Sequence, residues 1–196
     1  GTASTLGASV TNTATVTAVG LTDSNTANNS SAVTLSIGAV PTYSLSGTVF
    51  EDINYGGGSG RSLAASSGVV RPNARVELYN AAGNFVSTTT TDAAGLYTFS
   101  GLVAGNYSVR VVNSSVTSSR SGAVAGLLPV QTFRTDASTG TAVADVDRSG
   151  GETPSLVDAG NGSSTLAALN TASTAAQSIT PVTVGNANIS GLDFGH

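Results

Sequence analysis

The chain predicts an all-β fold, a β-sandwich preceded by an additional N-terminal β segment, with room for one short helix. Three observations carry this. Apolar and polar residues alternate in many short runs, which is the signature of a strand buried on one face only. The runs recur at close spacing with Gly-rich connections, as in a sandwich rather than a helical domain. The residues filling them are Val, Ile, Tyr, Phe and Thr, whose branched or planar side chains suit a pleated surface.

The elements follow in order. Residues 10–19 alternate like a strand, residues 31–37 do so again, and the Asp/Asn/Ser-rich stretch 23–30 between them is a turn region. Two strands cannot bury a core by themselves, so residues 1–38 predict a partial unit whose apolar face needs a cover. Residues 39–43 read as a linker, and residues 44–196 as one sandwich domain with a long insertion around 116–178. Its strands are expected at 45–52, 74–80, 85–91, 95–100 and 107–113. Tyr97 and Phe99 share one strand face, Tyr107, Val109 and Val111 another, and Ser100–Gly105 between them reads as the turn of a hairpin. Inside the insertion, strands are expected at 131–135 and 141–146. A short helix is expected over 164–176, behind a Ser164 cap. Residues 179–184 and 187–194 return to strand.

Composition removes whole classes of function. The cationic residues are seven arginines, with no Lys, Cys, Met or Trp, and the one His is the last residue. Cys/His zinc sites, thiol nucleophiles and lysine Schiff bases are therefore excluded, and a Ser-His-Asp triad would need His196 to fold back. Only 9% of residues are charged and the net charge is −4, which offers no cationic stripe for nucleic acid. No apolar run is long enough for a membrane span. The acidic residues form no paired-carboxylate cleft, so the chain predicts no enzyme.

Two motifs carry a resemblance. Asn12-Thr13-Ala14-Thr15-Val16 followed by Asp23–Ser30 resembles the last two strands of an immunoglobulin-like repeat of bacterial surface proteins, so the chain reads as starting inside a domain. The second is more specific. Ser46-Gly47-Thr48-Val49-Phe50-Glu51-Asp52, then Ala74–Tyr79, then Thr91-Asp92-Ala93-Ala94-Gly95 with Tyr97, Phe99, Leu102, Gly105, Tyr107 and Val109, resembles the prealbumin-like B-type domains of bacterial adhesins. These are the collagen-adhesin B and serine-aspartate-repeat B families. Gly191–Gly195 resembles the closing strand. The resemblance implies an extracellular or cell-surface module without enzymatic activity, in a secreted adhesin, a fibre or a biofilm filament. The Lys–Asn isopeptide bond of some relatives is excluded by the missing Lys. A Thr–Gln ester stays open through Gln131 and Gln177, which no motif marks.

Calcium is the candidate cofactor. Asp145-Val146-Asp147-Arg148-Ser149-Gly150 has the alternating oxygen donors and the Gly of the first half of an EF-hand-type loop. Its twelfth position is Leu156 rather than Glu, which leaves Glu152 as the substitute. The resemblance adds a second loop, in which Asp52 and Asn54 would ligate together with Asp92. The alternatives are an Asp/Gly hairpin turn for the first loop and a flexible Gly-rich loop for the second. Phe50, Phe99, Tyr97, Tyr107 and Phe194 are expected in the core, and Tyr43, Tyr55 and Phe133 outside it. The expected partner is another copy or an adjacent domain, reached by β-strand addition from residues 10–37. The alternative is a host, matrix or glycan ligand held by calcium-stabilised loops.

Overall fold

The computed structural model describes residues 9–124, 129–138, the backbone of 145–146, and 150–196. The chain divides into two compact units, Gly1–Pro41 and Thr42–His196.

In the first unit, β1 (Ser9–Thr15) and β2 (Ser30–Ser36) form an antiparallel two-stranded sheet, with Ser9 opposite Ser36 and Thr15 opposite Ser30. A 3-10 turn at Thr26–Asn28 lies between them. Alternation puts Val33 and Leu35 on one face, and both stay about three-quarters exposed, at 72% and 73%.

The second unit is built from β3 (Tyr43–Glu51), β4 (Val69–Val70), β5 (Arg75–Asn80), β6 (Phe85–Thr90), β7 (Leu96–Leu102), β8 (Gly105–Val111), β9 (Phe133–Thr135), β10 (Asp145–Val146), β11 (Val157–Asp158), β12 (Thr174–Ala175), β13 (Ile179–Val184) and β14 (Phe194–Gly195). One sheet runs β10-β9-β14-β3-β4, with β7 also pairing β3, and the other runs β13-β8-β5-β6. β11 and β12 make a small parallel pair. The inward faces meet in one core that includes Leu45, Val49, Val76, Leu78, Tyr97, Phe99, Val109, Val111, Val182, Leu192 and Phe194. β3 begins at Tyr43, inside the stretch read as linker.

The hairpin expected from residues 95–113 does not form. β7 pairs with β3 and β8 pairs with β5 and β13, so the two strands lie in different sheets. Gly101 takes a left-handed φ of 73°, and Val103-Ala104 carries the chain across the sandwich. Both apolar faces thereby point into one core, which pairing side by side would also have achieved. Alternation alone cannot separate the two arrangements.

The expected helix over 164–176 is replaced by a 3-10 turn at Ala167–Leu169 and strand β12. The Thr and Ser side chains bond the local backbone instead: Thr174 Oγ1 donates to Leu169 O, and Thr171 Oγ1 accepts from the amides of Ser173 and Thr174. The one α-helical turn among the described residues is Leu63–Ser66, where Ser62 Oγ accepts from Ala65 N. Of the expected strand 187–194, only Phe194 joins a ladder, as the first residue of β14 (Phe194–Gly195), although Ile189 bridges Leu45. Phe133 is buried against Phe50, with ring centroids 5.8 Å apart, and is a core residue rather than a free aromatic.

Candidate functional site

The densest polar structure of the sandwich is a buried charge network on β5 and β8. Glu77 and Arg110 sit opposite one another in register, and both are fully buried. Arg110 Nη1 donates to Glu77 Oε2 at 2.9 Å, and Tyr79 Oη donates to the same oxygen at 2.6 Å. Glu77 Oε1 accepts from Arg75 Nε at 2.8 Å and from Gly162 N at 2.7 Å. Arg110 Nη2 reaches Asp158 Oδ1 at 2.9 Å and also donates to Ala159 O, while Nη1 donates to Gly160 O at 3.1 Å. Asp158 in turn accepts from the amides of Asn113 and Gln177.

Burial by itself would raise the Glu77 pKa. The hydrogen bonds from Tyr79, Arg75 and Gly162 and the Arg110 charge outweigh it, so the carboxyl sits below its ordinary range. At Asp158 the balance reverses: burial dominates the Arg110 attraction and the pKa is raised. Burial also lowers the pKa of Arg110, but Asp158 and Glu77 more than offset this and hold it charged. The network joins segment 158–162 to the sheet. It is a clamp made of charge-assisted bonds, and it offers no nucleophile or open coordination position.

A second polar cluster fixes another part of the insertion. Glu51 accepts from Ser118 Oγ, Ser119 N and Ser119 Oγ at 2.5, 2.8 and 2.5 Å, with Arg71 at 3.6 Å. Beside it lies a cavity of about 300 Å³ whose walls include Glu51, Asp52, Tyr55, Arg120, Thr132 and His196. Asp52 Oδ2, Thr132 Oγ1 and His196 Nδ1 are buried and have no hydrogen-bond partner among the described residues. His196 Nε2 lies 3.1 Å from Asn113 Oδ1, an oxygen that can only accept, so Nε2 carries the proton. Burial pushes the His196 pKa down to about 3, so the ring is neutral.

The residues expected to hold calcium are placed as follows. Asp147 and Ser149 lie outside the described residues, and Asp145 is described through its backbone alone, opposite Thr135. Glu152 lies 3.6 Å from Arg134 and accepts from Ile179 N at 3.3 Å. Asp52 is paired with Arg61 at 2.7 Å and accepts from Asn54 N at 3.3 Å, while Asn54 itself is exposed. Asp92 uses one carboxylate oxygen to accept from Ala94 N and Leu96 N, which shapes its own turn. Among the described residues, no three or more His, Cys, Asp or Glu side chains gather where they could hold a metal ion. Gln177 ties down a loop: its Nε2 donates to Thr153 O and Leu156 O, and its Oε1 accepts from Thr153 N. Gln131 is buried.

The Glu77–Arg110–Asp158 network was not found by sequence reasoning. Glu77 and Arg110 alternate with the apolar pairs Val76/Leu78 and Val109/Val111 and so lie on the opposite strand face, where alternation alone reads a charged residue as facing solvent.

Fold and site together define a β-sandwich of the prealbumin-like B type found in surface adhesins, stabilised by buried polar clamps. The SdrD B-like domain family matches residues 43–161, and the chain belongs to that family. Two curated relatives are serine-aspartate repeat-containing protein F of Staphylococcus epidermidis, 45% identical over 69 residues, and its counterpart in strain ATCC 12228 / FDA PCI 1200, 44% identical over 69 residues. Each alignment covers 35% of this chain and 4% of the relative, so the chain corresponds to a small part of those proteins. Similar solved structures include a group B streptococcus pilus 2b backbone protein (17% identity, TM-score 0.27, covering 44% of this chain and 31% of that one). The Bacillus anthracis TIE protein is similar at 16% identity and TM-score 0.29, covering 59% of this chain and 28% of that one. No helix among the described residues is long and apolar enough to cross a membrane.

Proposed function

We propose that this chain is a non-enzymatic structural module of a bacterial surface protein or fibre, and that it self-associates by β-strand addition through its N-terminal hairpin. The observation carrying this reading is the β1–β2 sheet. It has two strands, no charged side chain in either, and Val33 and Leu35 uncovered. A two-stranded sheet of this kind is marginal alone in water, and among the described residues each strand has one unpaired edge. Docking against another sheet satisfies both its main-chain groups and its apolar face. Sizing chromatography of the purified chain tests the reading. Concentration-dependent assembly with residues 9–36 protected from protease is the expected result. A monomer cut within those residues contradicts it.

A second reading has the cavity beside Glu51 in its favour. The module would hold a host, matrix or glycan ligand there, with calcium at the Asp145–Gly150 loop stabilising the insertion. Melting curves in calcium and in chelator check the metal: a higher Tm with calcium supports it, and identical curves remove it. A glycan or matrix-binding assay checks the ligand.

A further inference from the structure

We infer that the acceptor for the N-terminal hairpin is the open edge of β6 in a second copy of the chain, which pairs there with β2. The inference rests on the self-association reading and adds the two surfaces that meet.

Main-chain geometry identifies the open edge. Val112 N donates to Arg75 O at 3.0 Å, so the main chain of Arg75 faces β8, and by alternation so does that of Glu77. Their partners across β5–β6 are Thr90 and Thr88. The N–H and C=O groups of Thr88 and Thr90 therefore point away from β5. Thr91 N donating to Ala74 O at 3.0 Å confirms the phase. Among the described residues, nothing bonds these outward groups. The start of the strand is covered, because Phe85 N donates to Ser164 O at 2.6 Å and Asn84 bridges Thr165. The bulge at Leu78/Tyr79 falls at that covered start. Val86–Thr90 is thus left open, with no Pro or charged residue guarding it. Val86, Ser87, Thr88 and Thr90 are exposed. β7 is also an outer strand, but Gly101 interrupts it and the Leu96 carbonyl already accepts from Asp92 N.

The occupant is argued from the same chain. β2 spans Ser30–Ser36, long enough for the open stretch, and one of its edges is free. It carries no charge, so two acidic chains meet there without like-charge contact. Val33 and Leu35 lie on one face of β2, where cross-strand neighbours on β6 would flank them, and β1 offers Val10 as its one large apolar residue. Hairpin to β6 is a heterologous contact, so a bound copy still presents a donor hairpin and an acceptor edge to further copies.

The test uses full-length chains and sedimentation velocity. Thr90→Pro and, independently, Thr88→Lys block the acceptor edge without touching a β5–β6 main-chain bond. The double variant Val33→Lys/Leu35→Lys blocks the donor. Each blocked chain, folded by circular dichroism, is expected to associate on the order of tenfold more weakly or worse. An equimolar mixture of acceptor-blocked and donor-blocked chains retains one intact pair of surfaces and is expected to stop at a one-to-one dimer. Folded Thr90→Pro and Thr88→Lys chains that assemble like the unmodified chain would overturn the β6 assignment and leave self-association standing. A mixture that stays monomeric, or a donor-blocked chain that still assembles through β6, would overturn the β2–β6 pairing. An unmodified chain that is monomeric at every concentration removes both this inference and the reading beneath it.

Discussion

Glu77 concentrates the cost of error at one residue. It is fully buried, and its two oxygens accept four hydrogen bonds, from Arg75, Gly162, Tyr79 and Arg110. Removing it takes from the buried Arg110 one of its two carboxylate partners and leaves Asp158 to hold it, and breaking a buried pair costs up to about 3–5 kcal/mol. Glu77→Ala is therefore expected to lower the denaturant midpoint sharply, with the m-value unchanged. The signs of its pH dependence follow from the shifts. The folded pKa of Glu77 is depressed below 4.5, so its contribution is present above that value and lost as pH falls through the folded pKa. Asp158 has the opposite sign, because its raised pKa makes protonation above 3.8 favour the fold and partly offsets that loss. His196 acts at higher pH. Its buried ring titrates near 3 in the fold against 6.5 unfolded, so stability declines as pH falls below 6.5, by up to about 1.4 kcal/mol per pH unit. His196→Gln is expected to flatten stability between pH 6.5 and about pH 5, where the carboxylates contribute little. An unchanged slope in that window would show that His196 does not cause it.

At the level of elements, the clamp depends on close approach. A Cβ on Gly162 would lie 1.9 Å from Tyr79 Oη and 2.9 Å from Glu77 Oε2, so segment 158–162 can reach the sheet only with Gly there. Gly162→Ala is expected to cost about 1–3 kcal/mol and to raise amide exchange at Asp158–Gly162 before the rest of the sandwich. Uniform exchange throughout the unit would show that the segment is not held locally. Legibility in the sequence also divides at this scale. β5 and β13 were readable because Val76/Leu78 and Val182/Val184 keep a period of two, and β6 because its Val and Thr residues are β-branched. The partner of each strand was not, since Tyr97/Phe99 alternates identically whether β7 pairs with β8 or β3. The insertion was least readable: its order comes from Glu51 with Ser118 and from Arg110 with Asp158, contacts between residues far apart in sequence. Of the candidate calcium loops, Asp145–Gly150 was read from spacing and Asp52/Asn54/Asp92 from the resemblance, and neither source records the Arg61 that pairs with Asp52.

For the whole molecule, the informative fact is an imbalance between the two units. The described part of residues 42–196 buries a core and pairs Glu77, Arg110 and Asp158 within it. Residues 9–36 form a hairpin whose two strands carry no charge and whose Val33 and Leu35 are exposed. The chain has no Lys for an isopeptide bond, so cohesion within the second unit comes from packing, ladders and the Arg110 clamp, and under the proposed function cohesion between modules falls to the hairpin. Sedimentation velocity of the unmodified chain over a wide concentration range tests this most directly. The account predicts species that grow with concentration beyond a dimer, as an open-ended contact requires. A single monomeric boundary at all concentrations, with the hairpin freely cleaved by protease, would contradict it.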